Sequence, residues 1–388
     1  MTRPTEPAQG FAPPFALFLV CPPGLEPHLA AEAAALGLED VAASAGGVTA
    51  TGGWQAVWRA NLHLRGAVRV MVRLAAFRAL HLAQLDKRLR RLPWRTLIEQ
   101  GSTIHIEAQC KRSRIYHAGA AAERLARALS EEAGAAPVRS RAEATLGLRL
   151  LIDDDLCAVS LDSSGEPLYR RGHKFAVAKA PMRESMAALF LRAAGFDGVE
   201  PVLDPMCGAG TFVLEAAGIA AGQPAGHSRG FAFEALNGHD ARAFAAFRAA
   251  AAHASPPQSD GPPRFIGSDR DAGAVAMASE NAARAGLAAR TLFLRRAVSE
   301  IAPPEGLPPG LVIANPPYGA RIGEGAKLGP LHAALGAALR ERFRGWRAAI
   351  VTTEEGLARA TGLPFLPPGP PVPHGGLRVK LWQTEPLR

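Results

Sequence analysis

In the second half of the sequence, three short apolar runs each end in a turn that begins with a carboxylate or an amide side chain. The runs are 201–203 before Asp204, 264–268 before Asp269 and 311–314 before Asn315. Helical patterns follow the first two turns, at 212–221 and 272–285. This alternation predicts a doubly wound, mostly parallel α/β sheet, in which ligands bind beyond the carboxyl ends of the strands. We therefore expect the turns to share one pocket.

The composition excludes several other classes of protein. The four cysteines form no C-x-x-C pair, so neither a disulfide framework nor a zinc site is predicted. No apolar run reaches the roughly 18 residues that a membrane helix needs, and we expect a soluble protein of the cytoplasm. The formal net charge of +9 favours a polyanionic partner, although a genome that prefers arginine explains it equally well.

The rest of the chain divides into segments of different character. Short strands and helices predict two small α+β units ahead of the parallel sheet. A polar, basic linker is predicted between the second of these units and the domain that contains the parallel sheet. The predicted boundaries are a disordered tail at 1–14, α+β units at 15–75 and 76–165, a linker at 166–180, and the α/β domain at 181–388 with an insertion at about 223–263. Within the insertion, the proline-rich residues 255–263 are expected to be disordered.

The turn after the first run carries two glycines behind its acid. Gly208 and Gly210 would let the backbone approach a ligand closely. No lysine follows at the P-loop spacing and no third glycine completes a dinucleotide fingerprint, which argues against ATP hydrolysis and hydride transfer. The pattern suits a ligand with a cationic amino-acid end, such as S-adenosylmethionine, and also occurs in purely structural turns. The candidate cofactor-binding residues here are Asp204, Pro205, Met206, Cys207, Gly208 and Gly210.

The second turn adds Asp269 and Arg270 to the candidate cofactor-binding residues. A carboxylate at a strand end can accept both hydroxyls of a ribose, as it does in dinucleotide folds. Asp269 lies much further from Gly210 than the roughly 20 residues usual there, and only an insertion that leaves the sheet explains the gap. Asp271 precedes a helical pattern and is interpreted as its N-cap.

The third turn, Asn315-Pro316-Pro317-Tyr318, is the most specific feature and supplies the candidate catalytic residues. An exocyclic amine on a nucleobase is a poor nucleophile because its lone pair is delocalised into the ring. Two acceptors, the Asn315 amide oxygen and the Pro316 carbonyl, would favour the pyramidal nitrogen of the transition state. The prolines would stiffen the loop, and Tyr318 would stack on the base.

These three motifs, in this order, resemble those of class I S-adenosylmethionine-dependent amino-methyltransferases. With the segments 169–174 and 179–184, nearly the whole chain from residue 15 resembles the THUMP-domain RNA guanine-N2 methyltransferases. The resemblance implies S-adenosylmethionine as cofactor and RNA as partner, ribosomal RNA in preference to tRNA. It implies a ferredoxin-like unit at 15–75, a THUMP domain at 76–165 and a Rossmann-like methyltransferase domain at 181–388.

The same resemblance implies a role for each turn. The first would hold the methionine end of the cofactor, Asp269 its ribose, and the residues from Asn315 to Tyr318 the target base. One departure concerns the cofactor adenine. Family members usually carry an acid and a small residue after the third strand, whereas residues 292–299 here read L-F-L-R-R-A-V-S. We expect backbone groups to recognise the adenine, or the pocket to be altered.

Basic residues in the first half are candidates for RNA binding. Lys111, Arg112 and Arg114 match the segment that leads into the THUMP helix and would position an RNA backbone. A second cluster fits a solvated helix face equally well; its members are Lys87, Arg88, Arg90, Arg91 and Arg95.

Two other functions compete with guanine methylation. Adenine-N6 methylation of DNA or RNA poses the same chemical problem to the third turn. A non-catalytic RNA-binding assembly factor would keep the fold without binding the cofactor.

Overall fold

The computed structural model describes residues 11–172, 182–253, 262–318 and 325–388, and only the backbone for 325–327. Its strands are β1 (Phe15–Val20), β2 (Glu39–Ser44), β3 (Gly47–Gly52), β4 (Arg69–Arg78), β5 (Thr103–Lys111), β6 (Ala136–Val138), β7 (Leu146–Asp153), β8 (Leu156–Asp162), β9 (Val202–Asp204), β10 (Phe265–Asp269), β11 (Thr291–Arg295), β12 (Leu311–Ala314), β13 (Arg347–Thr352), β14 (Val372–His374) and β15 (Leu377–Gln383). Its helices are α1 (Glu26–Ala35), α2 (Trp54–His63), α3 (Leu82–Arg90), α4 (Ala118–Ala133), α5 (Glu184–Ala193), α6 (Thr211–Ala220), α7 (Ala241–His253), α8 (Ala272–Arg284), α9 (Gly325–Arg342) and α10 (Glu355–Ala360).

The described residues group into two compact units, and neither is one continuous stretch of chain. Unit 1 contains those of Met1–Val20, Ala30–Leu168 and Arg229–Ala249. Unit 2 contains those of Cys21–Leu29, Tyr169–Ser228 and Ala250–Arg388. The predicted boundaries of the domains stay predictions.

Unit 1 is built on one eight-stranded sheet of order β2-β3-β1-β4-β8-β7-β5-β6. Antiparallel pairing of β4 with β8 runs from Met71 opposite Asp162 to Arg78 opposite Leu156. The predicted division between residues 75 and 76 lies inside β4, so the hydrogen-bonded ladder continues across it. Strands β7 and β8 form a hairpin, whose turn holds Asp154 and Asp155 at φ of 51° and 59°. Aspartate tolerates this left-handed backbone better than most residues, which favours the turn.

Part of the predicted insertion lies in unit 1. Phe244 of α7 packs edge-on against Phe233 at 4.9 Å between ring centroids, and against Trp58 of α2 at 5.4 Å. The Asn237 amide nitrogen donates to the backbone carbonyls of Arg95 and Ile98, each over 3.0 Å. These contacts place Arg229–Ala249 within unit 1. Residues 254–261, most of the stretch predicted to be disordered, lie outside the described residues.

Unit 2 contains a seven-stranded sheet of order β11-β10-β9-β12-β13-β15-β14. The first five strands are parallel, and β15 is antiparallel to β13. Apolar side chains from β9, β10, β12 and β13 form a core with α9 on one face; they include Leu203, Ile266, Val312, Ile350, Leu335 and Leu339. The arrangement confirms the predicted doubly wound, mostly parallel sheet.

No helix in the described ranges combines the length and the apolar character that crossing a membrane requires.

Candidate active site

The three predicted turns follow neighbouring strands at the centre of the unit 2 sheet. Strand β9 lies between β10 and β12, parallel to both. Asp204 is opposite Gly267, so Asp269 comes two residues beyond that level on β10. Val312 is opposite Leu203, so Asn315 also comes two residues beyond the level of Asp204. Adjacent strands are about 4.8 Å apart, and the structure therefore gathers the three turns at one edge of the sheet.

The first turn folds tightly around Asp204. This side chain is only 2% exposed, and its Oδ1 accepts a hydrogen bond from the Met206 amide over 3.0 Å. Gly208 and Gly210 adopt left-handed φ values of 51° and 83°, which glycine reaches without a steric penalty. Gly210 then begins α6. Burial raises the pKa of Asp204 to about 8, with the nearby Asp269 adding to the shift and the Met206 amide opposing it.

Asp269 joins the second turn to the first. Its Oδ2 accepts from the Gly208 amide over 3.1 Å, and its Oδ1 accepts from the Asp271 amide over 3.0 Å. A carboxylate has about four lone-pair sites, so acceptor capacity remains for a ligand. Asp271 caps α8 through Gly273, as predicted. Arg270 is exposed.

The third turn presents an acceptor without a partner. Asn315 Oδ1 is buried, and no group within the described ranges donates to it. Buried amide oxygens are nearly always paired, so an unpaired one marks a place where a ligand donor fits. Pro316 is buried, Pro317 is exposed, and Tyr318 is half-buried. Burial raises the pKa of the Tyr318 phenol to about 12, so the ring stays neutral at physiological pH.

Phe293 of β11 is a contributor that the sequence analysis missed. A Cβ added to Gly267 would lie 2.6 Å from the Phe293 ring and 2.9 Å from Cys207 Sγ. A Cβ added to Gly210 would lie 3.1 Å from the same ring. Phe293 thus fills the space behind the first turn, where only glycines fit. The glycine within β10 was the signal available in the sequence, because glycine in a strand often marks a close approach.

Cys207, one of the candidate cofactor-binding residues, lies buried in the first turn. It is 6% exposed, and burial raises its pKa well above the ordinary value. Its thiol is therefore neutral at physiological pH and unsuited to nucleophilic chemistry. Among the described residues, no three His, Cys, Asp or Glu side chains cluster so as to hold a metal ion.

The predicted RNA-binding residues lie in unit 1, beside the turn of the β7–β8 hairpin. Arg112 Nη2 contacts Asp153 Oδ1 at 2.8 Å, and Arg114 Nε lies 4.0 Å from Asp155 Oδ2. Lys111 ends β5. The acidic turn therefore offsets much of the local positive charge. In the second cluster, Arg90 is also paired with acids, on α3 and α4.

Comparison with known proteins gives the family. Residues 171–363 match the RMKL-like methyltransferase domain model, and residues 16–71 match the RlmL ferredoxin-like domain model. The ribosomal RNA large subunit methyltransferase K/L of Syntrophotalea carbinolica is 36% identical over 361 residues, which cover 90% of this chain and 51% of that protein. A Synechocystis protein, slr0064, whose name assigns it provisionally to the RNA methyltransferases, is 30% identical over 370 residues, with 93% of this chain and 94% of that protein covered.

The chain belongs to the RMKL-like methyltransferase family. A crystal structure from Listeria monocytogenes, described as a predicted N6-adenine-specific DNA methylase, has a TM-score of 0.83 and 26% identity, and 96% of each chain is covered. Membership of the RMKL-like family confirms the predicted class I methyltransferase fold with a ferredoxin-like unit ahead of it. It also confirms S-adenosylmethionine as the expected cofactor. The chain spans about half the length of the K/L relatives that it matches.

Proposed function

We propose that this chain transfers a methyl group from S-adenosylmethionine to the exocyclic N2 amine of a guanosine in ribosomal RNA, in the cytoplasm. The observation that carries the proposal is the buried Oδ1 of Asn315, which no described residue pairs with, at the end of β12 next to the glycine turn after β9. The substrate class is supported by the relatives from Syntrophotalea carbinolica and Synechocystis, whose names refer to ribosomal RNA and RNA methylation.

The residues of the first two turns fit the cofactor. Asp204 and Asp269 match a ligand with a cationic amino-acid end and ribose hydroxyls, and the first turn is built from glycines at positive φ. A cationic group bound beside Asp204 would lower its raised pKa and favour the carboxylate. When bound, S-adenosylmethionine supplies a methyl group already activated by its sulfonium. Neither a metal ion nor a covalent nucleophile is then required of the protein, whose main task is alignment.

The third turn would act on the amine. The Asn315 amide oxygen and the Pro316 carbonyl would accept hydrogen bonds from the two N–H groups, which would favour a pyramidal nitrogen whose lone pair is no longer delocalised into the ring. These bonds are stronger to the charge-developing nitrogen than to the flat ground state, so they lower the barrier. Tyr318 would stack on a base that has been turned out of its helix.

A single substitution tests this assignment. We expect Asn315→Ala to keep its affinity for S-adenosylhomocysteine within about twofold and to lose turnover by about 100-fold or more, the usual effect of removing one positioned hydrogen-bonding group. The assay uses labelled cofactor and total RNA from a strain that lacks the protein. Turnover close to that of the unchanged protein would disprove the role of Asn315.

The same reaction separates the competing functions. Digestion of the methylated RNA to nucleosides should give N2-methylguanosine. N6-methyladenosine, the product suggested by the description of the Listeria monocytogenes structure, would replace guanine by adenine as the target. An absence of S-adenosylhomocysteine binding by calorimetry would favour the assembly factor.

A further inference from the structure

Tyr116 is conspicuous for its exposure. Its side chain is 84% exposed, against 40% to 63% for the other exposed large hydrophobic residues in the described part of the chain. The residue lies between β5 and α4, in the segment that the sequence analysis assigned to RNA binding through its basic residues alone. An aromatic ring that is exposed to water loses the hydrophobic stabilisation that burial would give. Such a ring therefore indicates a contact with a binding partner.

The segment that carries Tyr116 is fastened on both sides. The preceding Ile115 is buried at 4% exposure. The following His117 caps α4, since its Nδ1 accepts from the Ala120 amide over 3.0 Å. The Arg114 amide donates to Asp155 Oδ1 over 2.8 Å, which ties the segment to the β7–β8 hairpin. The ring is thus presented from an ordered backbone, and a ligand that contacts it need not first order the loop.

Two arginines precede Tyr116 in the same segment, and both keep exposed side chains. Arg112 and Arg114 remain 79% and 71% exposed. Arg112 bonds Asp153 through Nε and Nη2 only, and a guanidinium has five donors. The N-terminal end of the 16-residue α4, which favours anions, begins two residues after Tyr116. Because the acidic turn offsets the local positive charge, attraction of phosphates alone would bind RNA weakly here. Binding at this segment would therefore depend mainly on the Tyr116 ring.

We propose that Tyr116 is a stacking platform for an unpaired base of the RNA, with Arg112 and Arg114 on the adjacent phosphates. This inference rests on the proposed function for its choice of RNA as partner. A protein contact centred on an aromatic residue needs apolar neighbours that exclude water, and in unit 1 only Leu80 is another exposed large hydrophobic side chain among the described residues. Bases within a duplex hide their faces, so the platform selects loops or bulges.

The test compares two RNAs of equal length, a hairpin with an unpaired loop and a perfect duplex, by fluorescence anisotropy. Tyr116→Ala should weaken hairpin binding by about 5- to 150-fold, the range for one stacked base, and duplex binding by less than about twofold. Tyr116→Phe keeps the ring and should bind within about twofold of the unchanged protein. Val199→Ala, which alters another exposed apolar side chain in unit 2, serves as the matched control.

Several outcomes would overturn the platform. They are unchanged hairpin binding by Tyr116→Ala, equal losses on hairpin and duplex, or a loss seen only with protein-containing ribosomal particles and not with naked RNA. S-adenosylhomocysteine affinity, measured on every variant, should not change and reports that the fold is intact. If the unchanged protein binds the cofactor product but no RNA, the proposed function fails as well; if it binds RNA and only Tyr116→Ala has no effect, the platform alone fails.

Discussion

The Gly208 amide donates a hydrogen bond to the Asp269 carboxylate over 3.1 Å. This bond joins the turn after β9 to the end of β10, although about 60 residues of chain separate the two. The other oxygen of the same carboxylate accepts from the Asp271 amide. Asp269 therefore shapes both turns of the candidate cofactor site, in addition to offering its remaining lone pairs.

Replacing Asp269 should damage cofactor binding more than folding. In Asp269→Asn, either the Gly208 amide or the Asp271 amide must face an NH2 group instead of an acceptor. We expect S-adenosylhomocysteine to bind about 10- to 100-fold more weakly, because a charge-assisted hydrogen bond is lost. Calorimetric titration measures the change. Asp271→Ala is the control: it removes the α8 cap at a cost of about 1 kcal/mol in stability and should leave the affinity unchanged. Equal affinities for Asp269→Asn and the unchanged protein would contradict the linking role.

Asp204 should make stability depend on pH. Its pKa rises on folding from the ordinary 3.8 to about 8, because burial disfavours the charged form. The folded state therefore binds more protons than the unfolded state between these values, and the free energy of unfolding falls as pH rises through that window. Asp204→Asn cannot titrate. Urea unfolding of both proteins across the window should show the unchanged protein losing stability relative to the variant as pH rises; parallel curves would show that the Asp204 pKa is not raised.

The buried ion pair of Arg171 with Glu215 provides a stability test. Both side chains are about 97% buried or more, and Arg171 Nε lies 3.2 Å from Glu215 Oε1. Arg171→Met leaves a buried carboxylate without this partner and should cost about 3 to 5 kcal/mol in the free energy of unfolding. The double variant with Glu215→Met should recover part of that loss. Arg359→Ala, in an exposed pair with Glu355, should cost less than about 1 kcal/mol.

Glycine-to-alanine substitution should have opposite effects at two helical positions, one in α9 and one in α10. A Cβ on Gly336 of α9 would lie 1.8 Å from the Thr361 carbonyl oxygen, whereas one on Gly356 of α10 meets no described atom within 4 Å. Gly336→Ala must push α9 away from the end of α10, at a cost of about 1 to 3 kcal/mol. Gly356→Ala should stabilise by about 0.4 to 1 kcal/mol because alanine has less freedom to lose on folding. Thermal unfolding that moves in the same direction for both variants would contradict this packing.

Much of the α/β sheet was predictable because its strands are short, apolar and bounded by turn residues. Strand β12 occupies the predicted residues. The grouping of Asp204, Asp269 and Asn315 also followed from the sequence, since parallel strands of this fold end at one edge. Their chemical roles stay predictions. Phe293 escaped notice because its contribution is the space it fills behind Gly210 and Gly267, which no linear motif records.

The charge around Lys111 was harder to predict. The basic residues and the acids that offset them, Asp153 and Asp155, are about 40 residues apart in the chain. They come together because β5 pairs with β7, which places Lys111 opposite Asp153. A basic cluster identified along the sequence therefore gives only half of the local charge. The exposure of the Tyr116 ring is likewise a property of the folded chain that the sequence does not record.

The position of Arg229–Ala249 within unit 1 has a practical consequence for dissecting the protein. A fragment that ends in the linker would lack Phe244 and leave Trp58 of α2 without its cover. A fragment that starts after the linker would instead carry Phe233 and Phe244 as a solvent-exposed apolar flap, prone to aggregation. Separate expression of unit 1 therefore requires Arg229–Ala249 to stay with the N-terminal half, and a fragment for unit 2 would still lack its segment Cys21–Leu29.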